Sequence, residues 1–148
     1  MMGDSYQPVI DRAKAAERAW EETGLAETIP AVAPDGGDVA MPLREAYEFY
    51  GTTRGVVPNY VNRFAVQSRA YTLPFDVMGI APKMKTPALV VHSEKALLPA
   101  LAHQFYDSLT APKEETWLPS VGQIDFYDDP KLINPAANSA AAWFEKFA

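Results

Sequence analysis

Apolar and polar positions alternate along this chain with two different periods, and the change falls near its middle. In "PVIDRAKAAERAWEETG", Val9, Ala13, Ala16 and Trp20 recur at three- and four-residue spacings, which predicts one apolar stripe on a helix. Pro8 suits the first turn and Gly24 the residue beyond the end. "LAETIPAVAPDGGDVAMP" has no such period. Its prolines and Gly36-Gly37 predict a linker. A short helix is expected in "PLREAYEFYG", opened by Pro42 and closed by Gly51. A further one is expected over about residues 59–72, with Val61, Phe64, Ala65 and Ser68 on one side and a break at Pro74.

From residue 82 the pattern is different. Ala88–His92, behind Pro87, is a short run of strand formers bounded by turn signals, as in a buried parallel strand. "ALLPALAHQFYDSL" then reads as a helix and "KEETWLPS" as a second strand of about five residues. "PKLINPAANSAAAWFEKFA" reads as a closing helix with Ile133, Ala137, Ala140, Ala141 and Phe144 on its stripe and Pro135 in its first turn. Strand–helix–strand–helix order predicts an α/β fold with a small, mostly parallel sheet. It gives one domain over 1–148, with a helical, lid-like region over 1–81 and the α/β region over 82–148. Two parallel strands do not make a stable sheet alone. Their faces and edges need cover, from the N-terminal helices or from another polypeptide.

Composition narrows the functions. A net charge of -6 with no basic stripe disfavours nucleic acid and anionic lipid. With no cysteine, disulfides, thiolate nucleophiles and Cys-type zinc sites are excluded. The segment "MMGDSYQPVI" has neither the basic nor the apolar region of a leader, and no run approaches a membrane span. The expectation is a cytoplasmic protein. No cofactor or metal is expected. His92 and His103 are the only histidines and have no ligand-type spacing. Asp125, Asp128 and Asp129 lack calcium-loop spacing and read as caps for the last helix. Tyr47, Phe49, Tyr50, Tyr60, Phe64, Tyr71 and Phe75 read mainly as core, with a share in a pocket wall.

The order of features from Pro87 to Glu94, then Lys113 to Pro119, Gly122 and "DFYDDP" resembles the C-terminal part of α/β-hydrolases. The branch it resembles is the dienelactone-hydrolase-like and YcjY-type one. "AYEFYGTTRGVVPNYVNRFAVQSRAYTLPFD" is similar to the helical insert that precedes that strand. The resemblance implies a partial α/β-hydrolase fold with a lid-like N-terminal portion. It also locates the positions of a serine-hydrolase triad, and none is filled. No G-x-S-x-G elbow frames Ser5, Ser68, Ser93, Ser108, Ser120 or Ser139. Ala96 stands where the acid is implied. Gln123 stands where the histidine is implied, and glutamine takes no proton from a serine at neutral pH.

No catalytic residue is therefore expected. A ligand pocket is expected around Glu94, Gln123, Asp125 and Tyr127, beside the aromatic insert. The expected function is a non-catalytic hydrolase-like subunit or small-molecule-binding module, as a homodimer or with a hydrolase partner. The alternative is one chain of a split esterase-like hydrolase whose partner supplies the nucleophile.

Overall fold

The computed structural model describes residues 6–147. Residues 1–5, the first half of the segment read above for a leader, lie outside the described residues, as does Ala148. Two compact units divide the chain, one reaching to Phe75 and the other beginning at Asp76.

In the first unit, helix α1 spans Gln7–Thr23 with Pro8 in its first turn. It ends at Gly24, whose φ of 72° lies in the left-handed region and whose N–H bonds to the Trp20 carbonyl. Glycine takes that conformation without a Cβ clash. Ala13 and Ala16 are buried, so α1 approaches its neighbours closely. Trp20, expected on the same stripe, is 46% exposed. Strand β1 (Thr28–Ile29) pairs antiparallel with β2 (Phe64–Ala65). Helix α2 is Arg44–Tyr50, and α3 is Arg69–Thr72, which continues a single 3₁₀ turn at Val66–Ser68.

Two expectations fail in this unit. The segment after α1 is not a linker: Ile29, Ala31, Val32 and Val39 are all buried. Asn62 holds it in place, accepting the Val32 N–H (3.0 Å) and donating to the Val32 carbonyl (2.9 Å). A side-chain amide thus does what a neighbouring strand would do. The helix expected over 59–72 is the second failure. Residues 64–65 are spent on β2, and helical structure starts at Val66. Val66 is fully buried, and its N–H bonds to the Glu27 carbonyl at 2.9 Å. This long-range pairing overrides the local helical spacing. Arg12 bridges Glu27 (2.6 Å) and Asp38, and Arg69 bonds both Asp38 (3.3 Å) and the Val39 carbonyl (2.8 Å).

The second unit follows its sequence closely. Strand β3 is Ala88–His92, helix α4 is Pro99–Ser108, and β4 is Lys113–Trp117, parallel to β3 with Ala88 opposite Lys113. A short helical turn, α5 (Asp125–Asp128), precedes α6 (Pro130–Phe147). Asp129 caps α6, its carboxylate accepting the Lys131 N–H at 2.9 Å. Pro135 lies inside α6, beyond its first turn.

Alternation of side chains along a strand assigns the two faces of the sheet. Glu114 and Thr116 point to the α6 face, where they bond Lys146 and Ser139. Trp117 points to the opposite face, where His103 of α4 stacks on it. The unit is thus a helix–sheet–helix sandwich.

The buried face of α6 carries Leu132 and Trp143, with Ala136 and Ser139 half-buried between them. That is not the expected stripe. Of the expected stripe, Ile133 and Ala140 are half-buried, while Ala137 and Ala141 are exposed and Phe144 is 70% exposed. The helix has two adjoining apolar faces, and the sheet takes the one that brings in Trp143, its largest side chain.

Candidate functional site

In parallel sheets, ligands collect at the carboxyl ends of the strands. Here β3 ends in His92-Ser93 and β4 ends in Trp117-Leu118, tied by the Leu118 N–H to the His92 carbonyl at 2.9 Å. Ser93 and Ser120 are both buried. The Ser120 hydroxyl donates to Ser93 Oγ at 2.8 Å, and Ser93 Oγ also accepts the Lys95 N–H at 3.1 Å. The Ser93 carbonyl accepts the Ala96 N–H (3.1 Å) and the His92 ring at Nδ1 (2.9 Å). A carbonyl only accepts, so His92 carries its hydrogen on Nδ1.

A cleft of about 430 Å³ opens over this end, lined by Ser93, Glu94, Lys95, Trp117, Leu118 and Ser120, together with Pro119. Trp117 and Leu118 supply apolar lining. Glu94 and Lys95 add a carboxylate and an ammonium to the lining. Glu94 is fixed by His103, whose Nε2 lies 2.9 Å from the carboxylate. The His103 ring stacks on Trp117 with centroids 3.9 Å apart and planes at 15°. His103 therefore joins the carboxylate to the indole.

The four expected ligand residues are distributed as follows. Glu94 lines the cleft. Gln123 is on the segment beyond Ser120, and its Oε1 accepts the Leu97 N–H at 3.2 Å. Asp125 turns back on its own loop, where Oδ2 accepts the N–H groups of Val121 (2.7 Å) and Gly122 (3.1 Å). Tyr127 is 46% exposed on α5. Sequence reasoning did not single out Ser93, Ser120, Lys95 and Trp117 as site residues. The signal available for them was position, since each lies at or just past the end of a parallel strand.

Leu97 and Leu98 complete the loop. Leu98 has φ 54° and ψ 48°, the left-handed region, and is the N-cap of α4. Its carbonyl accepts the N–H groups of Leu101 and Ala102. Pro99 follows it, and a residue before proline is turned away from the right-handed helical region. The site thus contains paired serine hydroxyls, a carboxylate–imidazole pair and a lysine. Gln123 is tied to the loop that carries Ala96. Among the described residues, no group of three or more metal-ligating side chains gathers, and no helix is long and apolar enough to cross a membrane.

No protein-family model and no curated protein matches the sequence. Solved structures do match. One is DcsB in complex with its substrate analogue, with a TM-score of 0.74 and 14% identity over 95% of this chain and 50% of that one. Another is the hypothetical protein PA2218 from Pseudomonas aeruginosa, with a TM-score of 0.72 and 19% identity over 99% of this chain and 46% of that one. A third is the alpha/beta hydrolase GrgF from Penicillium sp. sh18, with a TM-score of 0.68 and 21% identity over 95% and 49%. The chain has an α/β-hydrolase-like fold and spans about half the length of the structures it matches.

Proposed function

We propose that this chain is a non-catalytic α/β-hydrolase-like subunit that binds a small molecule in the cleft at the ends of β3 and β4. The observation that carries the reading is the contact between Gln123 and the Leu97 N–H. The side chain at the implied base position is bonded to the loop bearing the implied acid position, where Ala96 offers only a methyl group. Neither can accept a proton from a nucleophile. What remains is suited to holding a ligand: an indole and a leucine for apolar surface, with Glu94, Lys95 and buried hydroxyls to orient polar groups. DcsB takes a substrate analogue. The reading carries over from it the capacity to bind, not the chemistry. Gln123, Asp125 and Tyr127 belong to the same reading as the rim beside the cleft, and a cytoplasmic setting goes with it.

Two measurements test the proposal. Purified chain is expected to give no turnover of p-nitrophenyl esters and no labelling by a fluorophosphonate. Binding of small carboxylate, amine and lactone fragments is expected to shift the amide resonances of Ser93–Lys95 and Trp117–Ser120. Turnover by the chain alone removes the non-catalytic reading. Fragment shifts confined to other segments remove the cleft.

A second reading is favoured by one observation, the coverage of only about half of each matched structure. In it, the chain is one part of a split hydrolase, and a partner supplies the nucleophile. That partner must also supply or bypass the acid and base.

A further inference from the structure

The two strands of the parallel sheet have opposite characters. β4 reads Lys-Glu-Glu-Thr-Trp, with Glu114 and Glu115 exposed. Charged residues are how an edge strand avoids further pairing. β3 reads Ala-Leu-Val-Val-His, with no acid or base of fixed charge, as an interior strand does. Yet among the described residues β3 pairs with β4 alone.

The hydrogen-bond pattern identifies which groups this leaves over. The Ala88 N–H bonds to Pro112 and the His92 carbonyl accepts Leu118, so Ala88, Val90 and His92 direct their backbone groups toward β4. By alternation, the N–H and C=O groups of Leu89 and Val91 point to the other edge.

Helix α6 adds an apolar flank on that same side. Ser139 and Lys146 lean toward β4, bonding Thr116 and Glu114. At 3.6 residues per turn, Ile133, Ala137, Ala140 and Phe144 fall on the opposite shoulder, past β3, with Ala141 just behind them. This is the stripe that the sequence marks as apolar: Ile133 and Ala140 are half-buried, and Ala137, Ala141 and Phe144 are exposed. The strand edge without a partner strand and the apolar flank lie on the same side of the sheet, and none of the residues named on them carries a fixed charge.

We infer that this surface is the contact between two copies of this chain. A two-fold axis normal to the sheet, passing beside Val90, sets Leu89 of one copy opposite Val91 of the other as an antiparallel hydrogen-bonded pair. The same operation puts both α6 helices on one face of the joined sheet, flank against flank. An isologous contact needs only a patch that complements itself. An uncharged one meets its copy without repulsion, although each chain carries -6. The inference goes beyond the proposed ligand site and does not depend on it.

Sedimentation velocity on the purified chain, with amide hydrogen exchange, tests this. A dimer is expected, with Leu89 and Val91 protected alongside Val90 and His92. Ala141→Glu changes an exposed helical position and puts like charges at the contact. It is expected to weaken the dimer by about tenfold or more, with an unchanged circular dichroism spectrum. Leu89 and Val91 then exchange quickly while Val90 and His92 stay protected. Val91→Pro, which removes a donor from the open edge alone, is the second variant and is expected to act in the same direction. A chain that remains monomeric with Leu89 and Val91 exchanging freely overturns the inference and leaves the edge to a strand from another polypeptide. A dimer indifferent to both variants overturns it too, by placing the contact elsewhere.

Discussion

The Leu97 N–H donates to Gln123 Oε1 at 3.2 Å, linking two segments 26 residues apart. The contact fastens the loop between β3 and α4 to the turn before α5. Histidine at 123 has no carbonyl oxygen to offer, and alanine offers nothing. Gln123→Ala is expected to lower stability by about 0.5–1.5 kcal/mol, the usual worth of one hydrogen bond, read by urea unfolding. Gln123→His combined with Ala96→Asp is expected to give no esterase activity, because no serine sits in an elbow. Turnover by that double variant contradicts the non-catalytic reading.

The Ser93–Ser120 pair predicts a non-additive cycle. Ser93→Ala strips the partner from the buried Ser120 hydroxyl and from the Lys95 N–H. The expected loss is about 1–3 kcal/mol. Once either serine is gone, removing the other costs less, so the double variant falls short of the sum. Equilibrium unfolding of the three variants measures the shortfall.

Leu98 predicts a gain. A left-handed leucine costs about 1–2 kcal/mol, a cost that glycine avoids. The side chain is 65% exposed, so little packing is lost with it. Leu98→Gly is expected to raise the melting temperature by a few degrees. A fall in scanning calorimetry contradicts the assignment of strain.

The charge cluster of the N-terminal unit predicts an acid response. The hydrogen bond from Arg12 holds the Asp38 carboxyl below the usual aspartate range, with Arg69 adding to the effect. A depressed folded value means the stabilisation is complete above the unfolded pKa of about 3.9 and is lost as pH falls through the folded one. Arg12 and Asp38 are each about half exposed, so their pair is worth only about 0.2–1 kcal/mol. Asp38→Asn is expected to lose that amount at neutral pH, and to show a smaller further loss in acid than the parent chain. Salt weakens the difference.

The second unit was largely legible in the sequence, and the first was not. Ala88–His92 and Lys113–Trp117 are local signals, apolar or β-forming runs between turn residues. The 25–42 segment has the composition of a linker. It is ordered by Asn62, thirty residues beyond Val32, and no local window contains that pairing. For α6 the period was right and the choice of face was wrong. Two apolar faces adjoin, and only the tertiary fold decides which one the sheet takes. At the site, the gaps at 96 and 123 were readable residue by residue. The serine pair and the His103–Trp117 stack join separate strands and helices, so they emerge only in three dimensions.

The acidic border formed by β4 has a consequence for aggregation. A sheet able to accept a neighbour along both margins would add chains without limit and end as fibre. With Glu114 and Glu115 guarding one margin, recruitment through the other is expected to stop after a single step rather than continue into a fibre.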